Sequence, residues 1–192
     1  MEKKVLWIGF GLMALLVMVA AIMSLTEKAS FKGVVISPAP EAHDIKLTDQ
    51  NSQPFELFAH KGKVTLIYFG YTNCPDECPL TMAKLKLVKG LLGDRSSEVE
   101  VIMVTTDPAR DTPEKMKGYL QNFDPAFVGL TGSASDLEKV WKDYGVVVEN
   151  GGETHSDRVY VIDQKGRLRL TFPFDMSGDD IKSDISQLLQ EE

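Results

Sequence analysis

Two cysteines that lie four residues apart are the part of this sequence best suited to chemistry. Cys74 and Cys78 are its only cysteines, and Pro75 and Pro79 each follow one of them. Proline is favourable in the first turn of a helix, because its missing N–H would have no partner there anyway. The sequence therefore predicts a helix that begins near Pro75 and carries both sulfurs on one face. The positive end of the helix dipole would then favour thiolate over thiol.

Three functions are compatible with this cysteine pair. A structural disulfide between near neighbours would close a very short loop, so it would constrain the unfolded chain little. A redox dithiol would exchange electrons with the thiols and disulfides of partner proteins. A bidentate site would bind a soft metal ion such as Cu(I). The two sulfurs alone do not decide between the redox site and the metal site.

The segments around the pair predict a strand, a turn and a helix. Residues 63–69 are β-branched and aromatic and nearly free of charge, which indicates a buried central strand. Apolar residues after the turn recur at helical spacing and predict the face that the helix buries. This predicted face consists of Leu80, Ala83, Leu87, Val88 and Leu91.

The rest of the chain predicts an α/β domain of thioredoxin-like arrangement. Residues 98–105 form a second predicted strand, and Thr112, Ser133 and Ser177 are predicted to cap three later helices. A strand hairpin is predicted over residues 158–172. Strands separated by helices imply a mainly parallel central sheet, which the closing hairpin would make mixed. The cysteines would then lie at the C-terminal end of a strand, where open α/β sheets place their binding sites.

A long uncharged segment near the N-terminus predicts a membrane anchor. Residues 5–25 contain no charged side chain and would span ~32 Å as a helix, which is enough to cross the core of a bilayer. Lys3 and Lys4 on the short N-terminal side predict that this side lies in the cytoplasm. We therefore predict a single-pass protein of the bacterial inner (cytoplasmic) membrane, with an uncleaved transmembrane helix within residues 1–27 and one domain over residues 28–192 that faces the periplasm. A cleaved signal peptide is the alternative.

The charge of the chain argues against binding to nucleic acid. It has 21 basic and 28 acidic residues and a net charge of −7, and residues 1–27 contribute zero to that charge. All of the net negative charge therefore falls on residues 28–192, which also argues against an electrostatic attachment to anionic lipid.

Two cysteines are too few for a disulfide framework. In an oxidising compartment, a pair that stays reduced needs an outside source of electrons.

The three histidines of the chain differ in their sequence context. His43 and His60 lie beside predicted short strands, without the spacing of metal ligands, and are interpreted as surface residues. His155 follows a flexible Asn-Gly-Gly turn at residues 150–152 and precedes the predicted hairpin. Its spacing leaves two interpretations open, a surface histidine at the start of a strand or a metal ligand.

Four ordered segments of the sequence resemble the SCO family, which comprises membrane-anchored copper proteins of cytochrome c oxidase assembly. The segments are YFGYTNCPDECP at residues 68–79, DPARDTPEKM at 107–116, FDPAFVGLTGS at 123–133 and HSDRVYVIDQKGRL at 155–168. The resemblance implies a thioredoxin-like fold and copper as the bound metal, with Cu(I) and Cu(II) both open as its oxidation state. It implies three metal ligands, Cys74, Cys78 and His155. Two thiolates and one imidazole suit Cu(I), which is soft and accepts low coordination numbers.

The resemblance further implies a role at subunit II of cytochrome c oxidase. As a metallochaperone, and not an enzyme, the chain would deliver copper to the binuclear copper site of that subunit. As a thiol–disulfide oxidoreductase, it would reduce the cysteines of that site with Cys74 and Cys78 as its redox pair. An upstream copper donor and a thiol reductant would be further partners. The CxxxC spacing favours the metal role, because dedicated disulfide exchangers more often carry CxxC.

Two features depart from the family pattern. The chain has Asn73 where the family often has histidine, at a position that is not an expected ligand. The stretch between Tyr144 and His155 is shorter than is common in the family, and we expect a shorter loop to limit the reach of His155.

A peroxide-reducing enzyme of the same broad fold fits the sequence poorly, because it requires a single activated cysteine.

Overall fold

The structure is a computed structural model of the protein, and it describes residues 30–150 and 154–191 together with Met13 and Met18. For Thr154 and His155 it describes the backbone alone. Apart from the two methionines, the predicted anchor over residues 1–27 lies outside the described residues. Within the described residues, no helix is both long enough and apolar enough to cross a membrane.

The β-strands among the described residues form one large mixed sheet and one small ribbon. In chain order they are β1 (Val34–Val35), β2 (Lys46–Asp49), β3 (Pro54–Glu56), β4 (Val64–Gly70), β5 (Val99–Thr105), β6 (Val128–Thr131), β7 (Val148–Glu149), β8 (Thr154–His155), β9 (Arg158–Ile162) and β10 (Leu168–Pro173). The order across the large sheet is β1-β10-β9-β4-β5-β6-β2-β3. Strands β4, β5 and β6 pair in parallel, and the other pairings in this sheet are antiparallel. The ribbon consists of β7 and β8.

The strand that leads to the cysteines is the central strand that the sequence predicted over residues 63–69. This strand, β4, pairs with β5 on one side and with β9 on the other, and every one of its residues is buried. A strand that is covered on both faces needs apolar side chains throughout, which explains why its sequence shows no alternation. The predicted hairpin over residues 158–172 is formed by β9 and β10. The predicted mixed sheet is therefore confirmed. The prediction that it is mainly parallel is wrong, because among the described strands β1, β2 and β3 also join it as antiparallel neighbours, and only the pairings of β5 with β4 and with β6 are parallel.

Helices pack on both faces of this sheet. The α-helices of the domain are α1 (Glu77–Leu91), α2 (Pro113–Leu120), α3 (Ala134–Asp143) and α4 (Gly178–Gln190), and 3-10 helices lie at Leu57–His60 and Gly93–Glu98. The predicted caps are confirmed, because the side chains of Thr112, Ser133 and Ser177 each accept a hydrogen bond from the backbone N–H three residues later. Such a bond satisfies one of the free N–H groups in a first helical turn.

The two faces of the sheet carry two separate apolar cores. Leu66 and Tyr68 of β4 point to one face, where they pack with buried residues of α1, α2 and α4. Ile67 and Phe69 point to the opposite face, where they pack with buried residues of α3. Successive side chains of a strand point to opposite faces, so Tyr68 lies on the side that α1 covers. Cys78 of α1 belongs to the same core.

The buried face of α1 differs from the predicted one. Three of the five residues predicted to be buried, Leu80, Leu87 and Leu91, are more than half exposed. The residues that α1 buries are Cys78, Thr81, Met82, Leu85 and Val88. The helix carries apolar residues at helical spacing on two sides, and only the side that contacts the sheet is buried. Periodicity alone does not say which of two such stripes meets the sheet.

His60 is a second difference from the interpretation of the sequence. Its Nδ1 lies 3.1 Å from Oε1 of Glu100, and its ring packs against Phe55 with the ring centroids 4.5 Å apart. Only 32% of the His60 side chain is exposed, because the 3-10 helix that carries it turns it toward β5. His43, in contrast, is exposed as predicted.

Replacement of a buried and of an exposed leucine of α1 tests the orientation of this helix. We expect Leu85→Ala to lower the free energy of unfolding by about 2–5 kcal/mol, because it opens a cavity in the core. We expect Leu87→Ala to change it by less than about 0.5 kcal/mol, because 67% of Leu87 is exposed. Urea unfolding followed by circular dichroism measures both values. Equal losses for the two variants would contradict the orientation of α1.

Candidate metal site

The turn between β4 and α1 presents both cysteines at the C-terminal end of the central strand. The helix begins at Glu77, so Cys74 precedes it and Cys78 lies in its first turn. Asp76 is the N-cap residue, but its side chain makes no capping hydrogen bond. Instead, the backbone N–H of Cys78 donates a hydrogen bond to the sulfur of Cys74, with 3.4 Å between N and Sγ. The Cys74 sulfur therefore takes the place of a capping oxygen.

The predicted helix start near Pro75 is wrong by two residues. Asp76 has a φ of −139°, which lies outside helical geometry. The backbone N–H of Cys74 bonds to the carbonyl of Tyr71 in a turn, over 3.3 Å. Pro79, and not Pro75, occupies the first helical turn, where a missing N–H is tolerated. The two cysteines are thus held together by the capping bond and not by a shared helical face.

The two sulfurs have different environments. Cys78 is completely buried in the core beneath α1, whereas Cys74 is partly exposed and packs against the edge of that core. Neither forms a disulfide. Burial raises the pKa of the Cys78 thiol to about 12, against the opposing effect of a hydrogen bond from Tyr68. The thiol of Cys78 is therefore the favoured form at neutral pH, and the prediction of a thiolate is wrong for this residue because its sulfur is desolvated.

The hydroxyl of Tyr68 lies beside the buried sulfur. It donates to Sγ of Cys78 over 3.5 Å and to Oδ1 of Asp157 over 3.3 Å. Burial raises the pKa of Tyr68 far above its usual range, so the hydroxyl keeps its proton and acts as a donor. Asp157 lies in the connection between β8 and β9. The Tyr68 hydroxyl therefore links two distant parts of the chain at the cysteine site.

A buried carboxylate fixes the loop that carries Cys74. Asp111 is completely buried, and it accepts hydrogen bonds from the backbone N–H and the hydroxyl of Thr72 and from the hydroxyl of Thr105. The bond from the Thr72 N–H measures 3.0 Å, and the bond from Thr105 measures 2.7 Å. Thr105 ends β5, next to the end of β4. Asp111 therefore ties the cysteine turn to the C-terminal edge of the sheet, and its three hydrogen bonds offset the cost of its burial.

The sequence did not predict these roles for Tyr68, Asp111 and Asp157. All three lie within segments that resemble the SCO family, but the resemblance assigned no role to any of them. The available signal was a polar group at an unusual place. Tyr68 stands inside a strand whose only other polar side chain is that of Thr65, and Asp111 directly precedes the helix cap Thr112.

Close packing at the buried sulfur requires a glycine at residue 70. A Cβ atom on Gly70 would lie 2.6 Å from the ring of Tyr68 and 3.0 Å from Sγ of Cys78.

In the same core, the hydroxyl of Tyr119 is buried and has no hydrogen-bond partner among the described residues. Burial and the nearby cysteines raise the pKa of Tyr119. A buried hydroxyl without a partner near two thiols fits a site that is completed by a bound group.

His155, the predicted third ligand, is described only in its backbone. It pairs with Val148 across the ribbon of β7 and β8. Among the described side chains, no group of three His, Cys, Asp or Glu residues is arranged to hold a metal ion. The side chain of His155 is not among those described. The structure thus brings Cys74 and Cys78 together, and the third ligand stays a prediction.

Two thiols at the C-terminal edge of a mixed α/β sheet define the class of this protein, a thioredoxin-like domain with a dithiol site. Two sulfur ligands on one short turn suit a soft ion such as Cu(I) better than a hard one. Residues 35–190 match the family model described as SCO1/SenC. The chain belongs to the SCO1/SenC family, and the resemblance seen in the sequence is confirmed.

Relatives and solved structures agree with this assignment. A SCO2-like protein of Rickettsia prowazekii is 34% identical over 145 residues, which cover 71% of this chain and 71% of the relative. The matches cover 63% of a relative from Stutzerimonas stutzeri and 72% of a SCO2-like protein of Rickettsia felis. Copper-bound ScoI of Bradyrhizobium japonicum has 34% identity and a TM-score of 0.71, with 77% of this chain and 99% of that chain covered. BsSco, described as a member of the Sco family of cytochrome c oxidase assembly proteins, shares the fold with a TM-score of 0.68 at 24% identity, over 83% and 99% of the two chains.

A methyl group at residue 70 is expected to disturb the site. Gly70→Ala places a Cβ against Tyr68 and Cys78, so we expect it to lower the free energy of unfolding by about 1–3 kcal/mol. Gly90→Ala in α1 is the matched control, because a Cβ there meets nothing within 4 Å. Alanine at residue 90 is expected to stabilise the helix by up to about 1 kcal/mol. Thermal unfolding measures both effects, and a Gly70→Ala variant as stable as the wild type would refute the close packing.

The two thiols are expected to react with iodoacetamide at very different rates. Thiolate is the nucleophile, and a pKa of about 12 leaves little thiolate on Cys78 near neutral pH. In the reduced, metal-free protein, we expect Cys74 to be alkylated at least about tenfold faster than Cys78. Between about pH 7 and pH 9, the rate at Cys78 should rise about tenfold per pH unit without a plateau, because its thiol titrates above this range.

Peptide mass spectrometry of samples quenched at set times measures the two rates separately. The variants Cys74→Ser and Cys78→Ser report each remaining thiol alone. Alkylation in denaturant is the control, since both thiols are then exposed and should react alike. Equal rates in the native protein would contradict the burial of Cys78.

Proposed function

We propose that the protein binds one copper ion through Cys74, Cys78 and His155 and delivers it to the binuclear copper site of cytochrome c oxidase subunit II. The proposal is carried by the hydrogen bond from the Cys78 N–H to the Cys74 sulfur, which holds the two thiols together at the end of β4. Copper as the cargo is supported by the copper-bound structure of the related ScoI. The oxidase as the target is supported by the description of the Sco family as assembly proteins of cytochrome c oxidase.

The place of Asp157 supports His155 as the third ligand. Asp157 follows His155 by two residues, and its carboxylate accepts a hydrogen bond from the Tyr68 hydroxyl, which also contacts the Cys78 sulfur. Two residues of extended chain span at most about 7 Å. The backbone at His155 therefore stays in the neighbourhood of the two thiols, which an imidazole ligand requires.

The different exposure of the two thiols suits a protein that gives its ion away. Cys74 is partly exposed and Cys78 is buried, so an accepting protein would approach the ion from the side of Cys74. A site with three ligands leaves room for a ligand of the acceptor, and the ion is then transferred by exchange of one ligand at a time. Metal binding releases the protons of the thiols, so the affinity for copper is expected to rise with pH.

The domain is proposed to act on the periplasmic side of the bacterial inner membrane. The support for this location is the uncharged segment over residues 5–25, with Lys3 and Lys4 ahead of it. A transmembrane anchor would keep the domain close to a membrane-embedded oxidase. The collision of the two proteins would then be confined to the membrane surface.

A second function, reduction of the same oxidase site, is favoured by the reduced state of both cysteines. The Cys74 thiolate would attack the target disulfide, form a mixed disulfide and release one target thiolate. Cys78 would then attack the Cys74 sulfur, release the second target thiolate and leave a disulfide between Cys74 and Cys78. The target gains two electrons, and an external thiol reductant must restore the pair. Burial of Cys78 slows the second step, because little thiolate forms on it.

Copper titration of the reduced protein tests the ligand set. Cu(I) is titrated against a competing chelator for the wild type and for Cys74→Ser, Cys78→Ser and His155→Ala. We expect one tightly bound equivalent in the wild type, near-complete loss of tight binding in either serine variant, and an affinity about ten- to a hundredfold lower in the alanine variant. His43→Ala is the matched control, because His43 is exposed. Equal binding by the wild type and His155→Ala would remove His155 from the ligand set.

A parallel assay separates delivery from disulfide reduction. A peptide with the cysteines of the subunit II copper site is offered to the protein in two forms. The reduced peptide reports transfer of Cu(I) from the loaded protein, and the oxidised peptide reports reduction by the metal-free dithiol. Tight copper binding with slow reduction supports delivery, whereas fast reduction with weak copper binding supports the oxidoreductase.

A further inference from the structure

One phenolic hydroxyl lies between the buried sulfur and a carboxylate. The Tyr68 hydroxyl is 3.5 Å from Sγ of Cys78 and 3.3 Å from Oδ1 of Asp157, and it is the donor in both contacts. A phenol has one proton to donate, so a strong hydrogen bond to one acceptor weakens the bond to the other. Tyr68 is completely buried, which keeps bulk water from competing for this proton.

The backbone holds the hydroxyl in this place. Tyr68 lies on β4, which pairs with β5 and β9 on its two sides. Gly70, with no side chain, lets the Tyr68 ring and the Cys78 sulfur pack side by side. The ring therefore cannot move away from the sulfur without disturbing the core, and rotation of the O–H bond is the freedom that remains.

Copper binding changes the strength of one of the two acceptors. A metal-bound Cys78 is a thiolate, and a charged sulfur is a stronger acceptor than a thiol. A hydrogen bond to a metal-bound thiolate withdraws electron density from the sulfur and weakens its donation to the metal. Weaker donation disfavours Cu(II) relative to Cu(I). A carboxylate that competes for the same proton reduces this effect.

We propose that Tyr68 is a positioning residue whose hydrogen bond to Cys78 sets the preference of the site for Cu(I) over Cu(II), and that Asp157 moderates this preference by competing for the Tyr68 proton. The inference rests on the proposed function, copper binding by Cys74 and Cys78. It adds to that function the groups that select the oxidation state. Neither group needs to touch the ion, because each acts through the Cys78 sulfur.

Removal of the hydroxyl alone tests the proposal. Tyr68→Phe keeps the ring in the core, and the affinities for Cu(I) and Cu(II) are measured separately by competition with chelators. We expect the ratio of the Cu(I) affinity to the Cu(II) affinity to fall about five- to tenfold, as for one lost hydrogen bond. The sulfur-to-Cu(II) charge-transfer absorption should move to longer wavelength. If Tyr68 has a purely structural role, the variant should lose both affinities alike and keep the wild-type affinity ratio and absorption. That result would overturn the proposal.

Tyr144→Phe is the matched control for this variant. Tyr144 is also buried, and its hydroxyl donates to the carbonyl of His43 over 2.7 Å. It packs in the core on the opposite face of the sheet from Cys78. The control therefore loses a comparable hydrogen bond and should keep the affinity ratio and the absorption of the wild type. Equal changes in the two variants would overturn the role of Tyr68.

A double-mutant cycle tests the role of Asp157. In the wild-type background, Asp157→Ala leaves the Tyr68 proton to Cys78, so the affinity ratio should rise by about two- to fivefold. In the Tyr68→Phe background, the same change should leave the affinity ratio unchanged, because the proton for which Cys78 and Asp157 compete is absent. An equal change in both backgrounds would show that the carboxylate acts through its charge alone and would overturn its proposed role.

The outcomes separate this inference from the proposed function. If the wild type binds no copper, the proposed function fails and the inference fails with it. If the wild type binds copper through both cysteines and Tyr68→Phe keeps the wild-type affinity ratio, the inference alone is overturned.

Discussion

Burial of the Cys78 sulfur between α1 and β4 is the contact on which the rest of the site depends. A buried cysteine packs as a small apolar side chain, and here it belongs to the core that α1 builds against the sheet. Gly70 lets the strand approach the sulfur, and the Tyr68 hydroxyl supplies a polar contact to it. Because the core is closely packed, this sulfur has a fixed place, and the position of Cys74 is set relative to it by the capping hydrogen bond.

An unequal pair of thiols follows from this arrangement. The same helix start that buries Cys78 leaves Cys74 ahead of the helix, where it is partly exposed. Desolvation keeps a proton on Cys78, so a metal ion that needs both thiolates must displace that proton. In the proposed copper complex, the buried sulfur would provide a rigid ligand, and the partly exposed sulfur would provide the side from which an acceptor could approach. This combination suits a protein that both holds an ion and releases it.

Polar groups at the C-terminal edge of the sheet make the site possible inside an apolar core. Asp111 joins Thr72 of the cysteine turn to Thr105 at the end of β5, and Tyr68 joins Cys78 to Asp157. Asp111, Thr105, Tyr68 and Cys78 are buried, and Thr72 and Asp157 are half-buried. Their hydrogen bonds limit the cost of desolvation. Adjacent strands of a parallel sheet end at the same edge, so residues far apart in the chain meet there.

Local signals in the sequence determined much of this protein. The buried strand before the cysteines, the helix caps at Thr112, Ser133 and Ser177, and the final hairpin follow from patterns within a few residues, and the ordered motifs indicated the family. Tertiary packing decided what those patterns left open. It determines which of two apolar stripes of α1 is buried, and it places the helix start beyond Pro75. It also buries Cys78, so that desolvation keeps the proton on its thiol. It also brought Asp157 to a tyrosine 89 residues earlier, a contact that no local pattern encodes because it depends on how the strands assemble.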